Sequence, residues 1–205
     1  MKTILSFLVL TALVFVGCMD DSSNLNSPDI EINQQSNSPN FVKLPADLWG
    51  GFGVETEHSA EKLISGRFGG VIKLYFRIRR PGHEFGDFVV KAKVKVKRHS
   101  FPDNEVRRFT ITMDPENAFL NISPSPNTLN KHVIVDWEIK GIDVSDIDPD
   151  TFDFYYIGDN NEMLETSKNK LKVYYHQHKI QLRRGIIYPT SPEETPGGAR
   201  YAFVR

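Results

Sequence analysis

His176 and His178 are the residues best spaced for metal chemistry in this 205-residue chain. On an extended strand the two imidazoles of an H-x-H project from one face, and a catalytic zinc takes about three protein ligands. His58, His83, His99 and His132 give no third ligand that spacing alone can name, so solvent-facing histidines are the simpler reading. Oxygen ligands come next. Asp143, Asp146, Asp148, Asp150 and Asp153 recur in IDVSDIDPDTFD, and carboxylates at alternate positions are how loops hold calcium. The EF-hand glycine and the glutamate at its twelfth position are missing, and Asp148-Pro149-Asp150 serves equally as a turn into a strand. Turn chemistry is therefore the expectation, with Asp146, Asp148 and Asp150 as the calcium candidates.

A third constellation is cationic. Lys91, Lys93, Lys95 and Lys97 take every second position of VVKAKVKVK, followed by Arg98, and Arg77 and Arg79 alternate in the same way before Arg80. On strands these side chains share an outer face, which suits anionic lipid headgroups, lipopolysaccharide phosphates or an acidic polymer. Like charges opposed across a sheet are unfavourable unless acidic neighbours or an external anion compensate. Residues 41–113 carry a net charge of +6 and residues 114–205 a net charge of -4, so compensating acids must come from the second half. The plainer reading is a solvated face that keeps an edge strand from aggregating. No aromatic residue is interleaved among the lysines, so bases have no stacking platform and nucleic acid is not expected. Trp49, Tyr155-Tyr156 and Tyr174-Tyr175 are the candidate platforms for sugars.

Catalytic signatures are absent from the sequence. It holds no G-x-S-x-G elbow, Walker loop, H-E-x-x-H or G-x-G-x-x-G, so no catalytic residue and no cofactor is assigned. Unplaced pairs of acids leave a glycosidase open. At 40% hydrophobic and 25% charged residues with a net charge of -1, the composition is that of a globular protein, which excludes disorder throughout, collagen and a coiled coil. One cysteine rules out a disulfide framework and any multi-cysteine metal site.

The elements that must position these groups show a period of two. Ile72, Leu74, Phe76 and Ile78 alternate with Lys73, Tyr75, Arg77 and Arg79, and Phe88, Val90, Ala92, Val94 and Val96 alternate with the lysines. Phe109, Ile111 and Met113 face inward on a third strand, and Val133, Val135, Trp137 and Ile139 on a fourth. Further strands are expected at 152–157, 171–175, 179–183 and 201–204. Turn residues separate them, at Pro81-Gly82, Pro102-Asp103-Asn104, Asp159-Asn160-Asn161 and Pro196-Gly197-Gly198. About eight short strands without long helical spacing predict an all-β fold, an antiparallel β-sandwich or barrel. Ile72, Leu74, Val94, Ile111, Val135, Trp137 and Phe154 are its predicted core.

The chain opens with MKTILSFLVLTALVFVGC, a basic Lys2 followed by an apolar run from Ile4 to Val16. That run is shorter than the roughly 20 residues a transmembrane helix needs, and residues 1–17 read as a signal peptide. Its end, Phe15-Val16-Gly17-Cys18, resembles the lipobox of bacterial lipoproteins, with Phe15 where that family usually carries an aliphatic residue. The resemblance implies that Cys18 is lipidated and begins the mature chain, since a thiol forms the thioether to diacylglycerol. It also implies outer-membrane sorting, because Met19 rather than Asp follows the cysteine. The stretch DDSSNLNSPDIEINQQSNSPN lacks apolar surface to offset its ordering entropy, so residues 18–40 are expected to form a lipidated, flexible linker. Its expected reach is on the order of 25 to 30 Å.

Residues 41–205 are the expected folded domain. Gly69-Gly70, FTITMDPENAFLNISPSP, the strand through Trp137, GIDVSDIDPDTFDFYYIGDNNEM and the final RYAF resemble uncharacterised lipoproteins of Bacteroidota-type bacteria. Their domain is similar to the β-sandwich first described in ankyrins, zonula occludens proteins and netrin receptors. That resemblance spans about residues 66–205 and departs from the family at Gly198-Ala199-Arg200, where His-Phe-Ser is common. It implies structural or interaction roles and no active site. The expected function is a non-catalytic envelope lipoprotein whose partner is an envelope protein, a glycan or an anionic surface. The alternative is a secreted glycan-active hydrolase or carbohydrate-binding module.

Overall fold

The computed structural model describes residues 40–44, 58–114, 118–157, 163–165, 170–189 and 198–205. The expected signal peptide, Cys18, the linker before residue 40 and Trp49 lie outside the described residues. The alternation read from the sequence becomes β2 (Gly70–Ile78), β3 (Phe88–Val96), β4 (Val106–Met113) and β6 (Val133–Lys140). The later expectations become β7 (Asp153–Ile157), β9 (Lys170–Tyr174), β10 (Lys179–Ile187) and β11 (Ala199–Val204). Three further strands were not expected: β1 (His58–Ser65), β5 (Phe119–Ser123) and β8 (Met163–Glu165). The described residues contain no α-helix, only 3-10 turns at Pro126–Thr128 and Tyr175–Gln177.

These strands form two antiparallel sheets, one in the order β1-β4-β5-β11-β7-β8 and the other β2-β3-β6-β10-β9. The protein is an antiparallel β-sandwich. Every second residue of β3 and β6 is buried, from Phe88 to Val96 and from Val133 to Ile139, and the predicted core residues are all inside. Slipping either strand by one residue would bury its charges, which fixes the register. Aromatic rings join the layers: Trp137 of β6 stacks on Phe203 of β11 at 4.3 Å between centroids and meets Phe154 of β7 edge-on. Such pairs add about 0.5–1.5 kcal/mol beyond the area they bury.

The chain passes from one sheet to the other between β1 and β2. Gly69 turns this corner at φ +66°, donating its N–H to the Ser65 carbonyl at 2.8 Å, and a Cβ there would stand 2.5 Å from the Val96 carbonyl oxygen. Only glycine fits both the dihedral and the space. At the start of the domain, Val42 donates its N–H to the Phe203 carbonyl at 3.0 Å and Phe41 bridges to Val204. Residue 40 therefore enters beside the last strand, in the six-stranded sheet.

Candidate functional site

The outer face of the five-stranded sheet carries the site. Antiparallel register sets one row of side chains across all five strands: Tyr75, Lys91, Glu138, Gln181 and Lys172. A second row runs beside it through Lys73, Lys93 and Asp136, closing with Arg183 opposite Lys170. Neighbouring strands stand about 4.8 Å apart, so these groups are within reach of one ligand. They line an open trough of about 700 Å³.

Charge is distributed across the trough in a definite order. Its lining holds seven cations, Lys73, Lys91, Lys93, Lys170, Lys172, Arg183 and Arg184, against two acids, Asp136 and Glu138. Both acids sit on β6, the central strand, and both are engaged. Glu138 accepts from Lys91 Nζ at 3.0 Å and from Gln181 Nε2 at 2.8 Å, while Lys179 lies 3.7 Å away. Asp136 accepts from Lys93 Nζ at 3.2 Å and from the Arg184 backbone N–H at 2.9 Å. Lys73 on the β2 edge and Lys170 and Lys172 on the β9 edge have no acidic partner among the described residues. The rims are thus the more strongly cationic part.

Two arginines enter this face through a bulge. Trp137 pairs with Leu182 and Val135 with Gly185, so Arg183 and Arg184 together stand opposite Asp136. Arg184 takes φ 53°, and both arginines are exposed. A bulge of this kind bends the strand and re-aims side chains. The glycine inside the strand pattern, Gly185, was the available signal for it.

Family models, curated proteins and solved structures give no match to this chain. The residues singled out in the sequence are therefore placed by geometry alone. Lys91 and Lys93 lie in the trough, but β3 is an interior strand, so the ladder does not guard an edge. Lys95 pairs with Val71 and Ile134 beyond the trough, and Lys97 donates to His132 Nε2 at 2.6 Å. Burial, aided by that ammonium, holds the His132 imidazole below its ordinary range. Arg77 is committed to Asp87, whose carboxylate also accepts from the Arg80 N–H at 3.0 Å. The Arg80 backbone bond and then the Arg77 side-chain bond hold the Asp87 carboxyl low, and that side-chain bond to Asp87 raises Arg77. Arg79 lies past the end of β2 and does not line the trough.

The metal candidates separate. His176 belongs to the 3-10 turn and His178 caps it at φ 48°, so the two do not share a strand face as expected. The short turn that joins β9 to β10 takes the residues a strand would have used, and His178 packs on Phe85 at 4.8 Å. Asp143 accepts from Ser145 N–H and Asp148 from Asp150 N–H, both at 2.9 Å, as side-chain turns. The Ser145 amide holds the Asp143 carboxyl below its usual range. Asp146 is ion-paired with Arg205. Among the described residues no three His, Cys, Asp or Glu side chains gather where a metal could bind. Of the aromatic candidates, Tyr155 and Tyr156 pack on hydrophobic clusters, Tyr174 lies under Lys179, and Tyr175 donates to the Ile147 carbonyl at 2.7 Å. The exposed ring in the trough is Tyr75, which cross-strand pairing sets beside Lys91.

Proposed function

We propose that this chain is a non-catalytic cell-envelope lipoprotein, anchored through Cys18, whose sandwich binds an anionic ligand on the outer face of the five-stranded sheet. The observation that carries the binding role is the trough itself, with seven cations against two acids that are already paired. A concave field of one sign focuses potential and concentrates anions. The anchor rests on the Phe15-Val16-Gly17-Cys18 junction, and the outer-membrane address on Met19. Residue 40, the first described residue, lies beside β11 in the opposite sheet.

Heparin immobilised on a resin tests the binding role with the full-length chain in neutral detergent. The wild type should be retained at low salt and released as the Debye length falls below about 10 Å near 0.1 M. The variant Lys73→Glu/Lys170→Glu/Lys172→Glu should elute at clearly lower salt, and Arg108→Glu, on the exposed side of β4, should elute with the wild type. No retention of the wild type, or equal elution of the triple variant, would refute the binding face.

A further inference from the structure

We infer that the ligand of the trough is an acidic polysaccharide, a chain that offers both carboxylates and hydroxyls, lying across the five strands with one sugar on Tyr75. This rests on the anion-binding reading above and specifies its ligand class. The order of charge across the sheet makes the distinction. Cations without acidic partners among the described residues stand at the two edges, Lys73 on β2 and Lys170 and Lys172 on β9, while Glu138 and Asp136 occupy the middle strand.

A phosphate-dense polymer would press negative charge onto those central acids at every position, which is unfavourable at close range. A polyuronate would not. Its carboxylates pair with the rim cations, and its hydroxyls, as donors, turn toward Glu138, Asp136 and the Gln181 amide. An ionised carboxylate offers about four acceptor sites, so partners already bound to Glu138 and Asp136 leave capacity for a hydroxyl. Tyr75 supplies the remaining element. Its ring is 61% exposed at the β2 end of the row and sits beside Lys91, so its negative face is open to the polarised C–H groups of a sugar ring. Concavity favours a chain over a bilayer, because a flat surface of headgroups cannot fill a trough of about 700 Å³.

Calorimetry of the full-length chain in neutral detergent decides this with three soluble polymers: polygalacturonate, polyphosphate and neutral dextran. Polygalacturonate should bind best, with polyphosphate about tenfold weaker and dextran weaker still. Tyr75→Ala should weaken polygalacturonate about tenfold and leave polyphosphate unchanged, a loss typical of an aromatic anchor. Asp136→Asn should strengthen polyphosphate and weaken polygalacturonate. Polyphosphate binding as tightly as polygalacturonate, or Tyr75→Ala affecting both alike, would overturn the polysaccharide while leaving an anion-binding face. Absence of binding to either polyanion would overturn that face as well.

Discussion

Lys73 stands directly opposite Lys93, and the one acid of that row, Asp136, is ion-paired with Lys93 and not with Lys73. A like-charged pair facing across a sheet costs roughly 0.2–1 kcal/mol. Lys73→Glu should therefore raise stability by up to about that amount while weakening polyanion binding, measured by denaturant midpoint and by heparin elution on the same sample. At the centre of the core, Trp137 is 1% exposed and its Nε1 has no hydrogen-bond partner among the described residues. Leaving such a donor unsatisfied costs about 1–3 kcal/mol, which offsets part of what the large ring contributes. Trp137→Phe should thus change stability by less than about 1.5 kcal/mol, whereas Trp137→Ala should cost about 3–5 kcal/mol through the cavity it leaves. Chemical denaturation of both variants measures the contrast.

At the level of elements, strands with strict alternation were legible and short or polar ones were not. VVKAKVKVK and HVIVDWEIK announce their inward faces because each buries an unbroken apolar row, and β2, β3, β4 and β6 lie within a residue or two of expectation. His58–Ser65 is an edge strand with mostly exposed or half-buried residues, and Phe119–Ser123 has only five residues, so neither carries a readable period. The cationic face was legible in part. Lys91 and Lys93 were found because they share a strand, but Lys73, Tyr75, Lys170, Lys172, Arg183 and Arg184 join them only through pairing of strands remote in sequence. His176 and His178 misled because K-L-K-V-Y-Y reads as one strand, while the chain turns at Tyr175. The β10 bulge has its own test. A Cβ on Gly185 would stand 2.7 Å from the end of the fully buried Leu182 side chain. Gly185→Ala should cost about 1–3 kcal/mol by overpacking and should lower polyanion affinity by moving Arg183 and Arg184, both read in one titration series.

Taken as a whole, the described domain gathers seven cations against two acids on the outer face of the five-stranded sheet. The sequence divides its charge between a basic first half and an acidic second half, yet Lys170, Lys172, Arg183 and Arg184 of the acidic half complete the basic trough. The cationic face is therefore assembled by strand pairing and not by one stretch of chain. The opposite sheet joins the segment from residue 40 and holds a second apolar cluster of Phe119, Ile157 and Ala202, packed by Phe41 and Tyr155. Metabolic labelling with a fatty-acid probe should tag the wild-type chain and not Cys18→Ser, and equal labelling of the two would remove the anchor from the proposal.

Lysine footprinting tests the binding face most directly. The full-length chain in neutral detergent is acetylated with and without saturating heparin, and each lysine is read by mass spectrometry. Lys73, Lys93, Lys170 and Lys172 should lose most of their reactivity when heparin is present. Lys131, which donates to the Arg98 carbonyl outside the trough, and Lys62 of β1 should keep theirs. Protection spread evenly over all six lysines, or concentrated at Lys62 and Lys131, would contradict a binding face on the five-stranded sheet.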